Sequence, residues 1–198
     1  MDLRELLARR RMVRSFDGTP VDPMWLHELC AEALRSPTAG NSAGVRFHTI
    51  GAALVGEYFN VATDESWRAH ARRAEGLQRA GAVVLVTSRR SEYVARYAEA
   101  DKLNSGLDDE SNWPIPYWHT DAAMATMALL LLIEESGWQA ALWGNFRHED
   151  DILRWARIED EDLFATVLIG RADGKDVASP SLARDVPSRE SRVREVEP

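Results

Sequence analysis

The sequence predicts an α+β fold, with several helices packed around one central sheet. Three observations lead there. Residues 82–88 (AVVLVTS) form an apolar run of strand length, the pattern of a strand buried on both faces. Residues 122–133 form the longest apolar stretch, interrupted only by Thr126. It reads as a buried core helix, because a bilayer span needs about 20 residues. Strand and helix candidates then mix without the regular alternation that builds a parallel doubly wound sheet.

Taken in order, residues 2–11 form a short helix with Leu3, Leu6 and Leu7 on one face. Asp22-Pro23 opens the next helix, since Asp caps well and Pro at the first helical position has no amide hydrogen to leave unpaired. Trp25, Leu26, Leu29, Cys30, Ala33 and Leu34 follow at helical spacing, and Ser36-Pro37 stops them. Residues 38–44 (TAGNSAG) make a small, polar loop before a strand over 45–50. Helices are expected over 66–80 and 90–103, and an aromatic, proline-containing loop over 104–119. The long helix spans 120–136, with Gly137 as its stop. Strands follow at 139–143 and 164–170, with a short helix near 148–157 between them. A domain over 1–175 and a charged, irregular tail over 176–198, free to wrap onto a partner subunit, complete the chain.

The 24 basic and 32 acidic residues leave a net charge of −8, which argues against duplex nucleic acid as the main partner. A few arginines in an acidic chain suit a small anionic ligand. The single cysteine, Cys30, rules out an internal disulfide and a cysteine metal cluster, and suits a reducing cytoplasm. No secretory leader or membrane segment is expected.

Common catalytic patterns are mostly missing. There is no dinucleotide fingerprint, no phosphate loop and no HExxH. Gly40-Asn41-Ser42-Ala43-Gly44 matches GxSxG, but that elbow needs a strand before it and a helix after it, and here the order is reversed. A serine hydrolase using Ser42 is therefore the weaker alternative. The arginines say more. Arg9, Arg10 and Arg11 close the first helix, where cations favour the macrodipole. That does not account for Arg14 in the alternating segment Met12-Val13-Arg14-Ser15-Phe16. Converging guanidinium groups suit phosphate, which each can bind through two parallel hydrogen bonds.

Arg10-Arg11-Met12-Val13-Arg14-Ser15-Phe16 resembles the opening motif of the nitroreductase-like flavoproteins. Arg35-Ser36-Pro37-Thr38-Ala39-Gly40-Asn41-Ser42 resembles their second motif. Leu142-Trp143-Gly144-Asn145-Phe146 and Val167-Leu168-Ile169-Gly170 resemble two later ones, in the same order. The resemblance implies a nitroreductase-like fold: a mostly antiparallel sheet flanked by helices, in an intertwined homodimer. It implies FMN as cofactor and NAD(P)H as co-substrate. Arg10, Arg11, Met12 and Arg14 would hold the phosphate, ribityl chain and pyrimidine edge. Pro37, Thr38 and Asn41 would approach the same flavin from the other subunit. Trp143 and Gly144 would line the ring near N5, and Arg184 would be a last phosphate ligand.

This chain departs from the pattern in three places: Met12 replaces a serine, Ala43-Gly44-Val45 stands where Q-P-W is common, and the tail motif around Arg184 is loose. A thioether cannot hydrogen-bond as a hydroxyl does. Tyr117, Trp118 and His119 are candidates for a substrate pocket, with Tyr117 or His119 as proton donors beside water. The expected activity passes hydride through flavin N5 to a nitroaromatic, quinone or enone acceptor. A flavin-storing protein of the same fold is the alternative. Flavin fragmentation is disfavoured, because relatives that perform it carry an aspartate where Met12 stands.

Overall fold

The computed structural model describes residues 2–196. Its centre is a four-stranded sheet in the order β1-β2-β4-β3, formed by β1 (Val45–Gly51), β2 (Ala82–Ser88), β4 (Asp162–Gly170) and β3 (Gln139–Trp143). All three pairings are antiparallel. The expected α+β sheet is therefore present, and β2 is buried at every position. A register shift after Val86 leaves Phe164 as an extra residue between Ala165 and Leu163.

Alternation along the strands sends side chains to two cores. On one face, Val84, Val86, Val167 and Ile169 pack under α2 (Pro23–Ala33) and α7 (Tyr117–Glu135). On the other, Val83, Leu85, Ala141 and Leu168 pack under α3 (Val55–Ala62), α5 (Ala74–Gln78) and α8 (Glu149–Ala156). Burial of this apolar surface is the main stabilising term, at about 25 cal/mol per Å². Cys30 belongs to the first core, as expected. The Asp22 carboxylate caps α2 by accepting the Met24 and Trp25 amides at 2.8 and 2.9 Å.

Several boundaries differ from expectation. The first helix, α1, covers only Leu3–Arg9. The single helix expected over 66–80 is two, α4 (Glu65–His70) and α5, because Ala71 takes an extended conformation at φ −73°, ψ 123°. Helix α6 (Arg90–Tyr97) stops well before residue 103. Helix α3 was not expected: Gly51 and Gly56 flank its start and no polar side chain caps it. Helix α7 begins at Tyr117, directly after Pro116, so the end of the predicted aromatic loop is its first turn.

The chain leaves β4 and crosses back to the N-terminal segment through a Phe16–Ala172 bridge. Residues 180–196 carry no buried side chain and contain two single-turn 3-10 segments, Pro180–Ala183 and Glu190–Arg192. The end of the predicted tail, 197–198, lies outside the described residues. Among the described residues no helix is long and apolar enough to cross a membrane.

Candidate functional site

The first strand edge to consider is the outer edge of β3. After α1 the chain runs alongside it: the Val13 amide donates to the Ala140 carbonyl at 3.0 Å, and Met12 makes a parallel bridge to Ala140. The Met12 Sδ accepts the Leu142 amide at 3.3 Å. Beyond Leu142 no strand covers the edge. Trp143 and Gly144 there floor a trough made of two adjoining hollows, of about 560 and 650 Å³. The hollows share Trp67, Ala71, Trp143, Gly144 and Phe146. The Trp67 and Trp143 rings lie 5.1 Å apart at 45°, and Phe59 backs Trp143 at 5.2 Å. Such apolar, aromatic walls suit a flat ligand.

One end of the trough is cationic. Arg14, Arg72 and Arg73 line it, with Pro180 of the tail opposite. The extended backbone at Ala71 that splits α4 from α5 carries the chain to Arg72 and Arg73. The other end carries His70, Asn145 and His148. Asn145 is anchored: its amide donates to the Tyr58 hydroxyl at 3.2 Å and its carbonyl accepts from Thr166 Oγ1 at 2.6 Å.

The N-terminal arginines divide by role. Arg9 closes the distant end of α7, donating to the Glu134 carboxylate and to the Glu134 carbonyl, both at 2.9 Å. Arg11 folds back onto its own helix end, donating to the Ala8, Arg10 and Arg9 carbonyls at 2.6, 3.0 and 3.3 Å. In this structure Arg11 caps its helix end and does not line the trough. Arg10 is different: its Nη1 is buried without a hydrogen-bond partner. The Arg14 guanidinium reaches only the Met12 carbonyl at 3.3 Å. An unpaired buried donor is costly unless something accepts from it.

An acidic residue from the far end of the chain enters the same region. Asp176 Oδ2 accepts the Arg14 amide at 3.0 Å, and its Oδ1 lies 3.9 Å from Arg73 Nε. Arg73 Nη2 donates to the Val177 carbonyl at 2.7 Å. Arg184, just past the Pro180–Ala183 turn, is exposed and does not line the trough.

The remaining predicted residues assemble elsewhere. Pro37, Thr38 and Asn41 lie on the loop that enters β1, the opposite edge of the sheet from β3. Three strand spacings, roughly 14 Å, separate those edges. The aromatic residues fall beside that loop. Trp118 packs with Tyr93 and Trp113 in a small separate core that Ala39 adjoins. His119 stacks on the bulged Phe164 at 6.2 Å, and burial holds its pKa below the usual 6.5. Ser42 donates its hydroxyl to the Ala39 carbonyl at 2.6 Å, and no histidine among the described residues bonds to it. Within one chain, then, the trough gathers Arg14, Trp143 and Gly144. Sequence reading missed Trp67, Arg72, Arg73 and Asn145. No metal-holding group of His, Cys, Asp or Glu occurs among the described residues.

A trough floored by a sheet edge, walled by tryptophans and headed by arginines has the shape and charge to suit a flat molecule with an anionic end. The chain belongs to the Nitroreductase family, whose model matches residues 7–171. The structure is similar to a nitroreductase family protein from Streptococcus pneumoniae TIGR4, at TM-score 0.73 and 16% identity, over 98% of this chain and 100% of that one. It is similar to the gut-bacterial enone reductase CLA-ER, at TM-score 0.71 and 16% identity, over 94% and 98%. It is also similar to a protein from Exiguobacterium sibiricum 255-15 in complex with FMN, at TM-score 0.68 and 16% identity, over 98% of each. No curated protein matches the chain.

Proposed function

We propose that this chain is an FMN-dependent oxidoreductase that works as a homodimer. The carrying observation is the trough over Trp143 and Gly144, with aromatic walls and an arginine head. The donors present fit FMN. Arg14 and Arg73 line the trough, Arg10 stands four residues before Arg14, and Arg10 Nη1 and Arg73 Nε are buried without hydrogen-bond partners among the described residues. Together they offer a phosphate the charge-assisted bonds that guanidinium groups form best. The family match and the FMN-bound structural neighbour support the same choice.

Held there by Arg14, Arg73 and the Trp67 and Trp143 walls, FMN would supply hydride transfer between NAD(P)H and a nitroaromatic, quinone or enone acceptor. The protein supplies binding, orientation and electrostatics. Trp67 and Trp143 keep the ring flat and dry. The Gly144 backbone, at the uncovered edge of β3, offers an amide for charge that develops at the ring edge. The Phe146 ring packs against Gly144, where a side-chain carbon would come 2.7 Å from it, and that ring is itself exposed. No covalent nucleophile is required of the side chains.

The homodimer reading rests on exposure and on reach. Leu3 and Leu7 of α1 and Met124 and Met127 of α7 are exposed apolar side chains, as are Leu182, Val186 and Val193 of the tail. Pro37, Thr38 and Asn41 lie at the far edge of the sheet from their own trough, and a second copy would bring them to it. Arg184 joins the phosphate end only if the tail rearranges or crosses to that copy.

The test is direct. Purified protein should be yellow, elute at twice the chain mass, and bleach anaerobically with NADH or NADPH before recolouring with a quinone or nitroaromatic. Protein that stays colourless after incubation with FMN defeats the proposal. Protein that binds FMN yet is bleached by neither nicotinamide is a flavin-storing one.

A further inference from the structure

The loop carrying Pro37, Thr38 and Asn41 closes two tight turns of its own, with the Asn41 and Ser42 amides donating to the Thr38 and Ala39 carbonyls at 3.0 and 3.1 Å, but those turns do not fix it to the rest of the fold. It rests on a buried carboxylate in the first turns of α7. Asp121 is 1% exposed, and its Oδ2 accepts both the Ala39 amide at 2.8 Å and the Tyr93 hydroxyl at 2.9 Å. Arg96 ties down the next residue by donating from Nε to the Gly40 carbonyl at 2.8 Å, and is itself held by Asp101 at 2.8 Å. The fit is close. Side-chain carbons at Gly40 and Gly44 would come 2.7 Å from Tyr97 and 2.4 Å from Tyr93. Gly40, Asn41 and Ala43 all have positive φ, at 62°, 59° and 55°. Two of these are not glycine, so the surroundings must hold this conformation.

A carboxylate so buried is costly unless its oxygens are hydrogen-bonded. Here it is satisfied by a loop that turns away from its own chain's trough. We propose that Asp121, oriented by Tyr93, is a positioning residue for the partner's flavin site: it presets the loop that closes the other subunit's trough. This rests on the FMN-dimer reading above. It adds to that reading the Asp121 carboxylate, which acts through the loop it holds and not by touching the flavin.

Subunit complementation tests it. Asp121→Ala removes the acceptor, and FMN affinity of that homodimer should fall ~10–100-fold, the size of one lost hydrogen bond to a charged group. Asp121→Asn can present its carbonyl oxygen to the same two donors and should bind within ~3-fold of the parent, since less than ~1 kcal/mol is lost. Arg14→Ala homodimers should bind weakly for the separate reason of a lost phosphate contact. In a heterodimer of Asp121→Ala with Arg14→Ala, purified through two different tags, one trough combines intact arginines with an intact loop. It should bind FMN with parental affinity at half the parental stoichiometry. A heterodimer without such a site overturns the proposal, as does an Asp121→Ala homodimer of parental affinity. Should Asp121→Ala fail to fold, Ala39→Pro takes its place in the same heterodimer. It deletes the amide donor from a half-buried loop residue, and Thr38 at φ −128°, ψ 144° accepts a following proline. A parent that never binds FMN sinks the flavin reading itself, whatever the mixtures do.

Discussion

The Met12 sulfur accepts the Leu142 amide hydrogen at 3.3 Å, joining residues 130 positions apart along the chain. The thioether therefore stands at the sheet edge, immediately before the uncovered stretch that floors the trough. Met12→Leu preserves bulk but removes the acceptor. Amide exchange at Leu142 should quicken. The melting temperature should drop by about 2 °C, for a net hydrogen bond worth about 0.5–1 kcal/mol. Unchanged exchange at that amide would mean the sulfur contributes nothing.

The arginines should separate in a binding assay. Arg10→Ala and Arg14→Ala should each weaken FMN by roughly 1.5–3 kcal/mol, read as fluorescence recovery on flavin release. Arg11→Ala should leave flavin affinity in place and lower stability by about 0.5 kcal/mol, because its partners are helix-end carbonyls. Equal flavin loss in all three would show that Arg11 turns into the site on binding.

Gly81 supports the N-terminal segment from beneath. A side-chain carbon on it would sit 2.1 Å from the Thr19 carbonyl oxygen, and the Val21 amide donates to the Gly81 carbonyl at 3.2 Å. Neither neighbour is a flexible side-chain end. Gly81→Ala should destabilise by about 1–3 kcal/mol in urea titration, with no change in denaturant slope.

Acid stability should depend on Glu161. Its side chain is 4% exposed and accepts from Thr87 Oγ1 at 2.5 Å, His48 Nε2 at 2.8 Å and Arg89 Nη2 at 3.2 Å. Burial by itself raises its pKa. The Thr87 and His48 hydrogen bonds, with the charges of His48 and Arg46, outweigh burial and hold it below 4.5. A carboxylate depressed in the folded state contributes stability above its unfolded pKa and loses that contribution as pH falls through the folded value. Below pH 4.5, then, the parent should lose stability more steeply than Glu161→Gln. Parallel stability curves in acid would refute this.

Cys30 should be silent toward thiol reagents. Burial pushes its pKa up to about 12, so little thiolate exists at pH 8. A colorimetric disulfide reagent should report no free thiol in native protein and one per chain after denaturation. Rapid native labelling would contradict its place in the core.

Legibility in the sequence followed the strength of local signals. Strands β2 and β3 carry bounded apolar patterns and were predicted at their observed limits, and Asp22-Pro23 marked its helix start. Helix α3 had a usable signal that went unread: Val55, Tyr58, Phe59 and Ala62 are buried at spacings of three, four and seven. Its uncapped start beside two glycines concealed it. Arg14, Trp143 and Gly144 were legible through family motifs. Trp67, Arg72 and Arg73 were not. They reach the trough only because the backbone breaks at Ala71, which no strong breaker residue announces. The aromatic cluster of Trp113 and Trp118 was visible as composition, but its role as a small separate core depends on Tyr93 and Tyr97 of α6 packing against it, a long-range contact that the expected helix over 90–103 did not reveal.

The strand order has a consequence for biosynthesis. Arg10 and Arg14 are synthesised before the residues that set the position of their segment: Ala140, Ala172 of the bridge to Phe16, and Asp176. A nascent or truncated chain that stops before β4 keeps Ala140 but lacks the strand that pairs with β3, the Ala172 bridge and Asp176. C-terminal deletions reaching into the 160s should therefore abolish FMN binding while sparing the entire arginine-bearing segment.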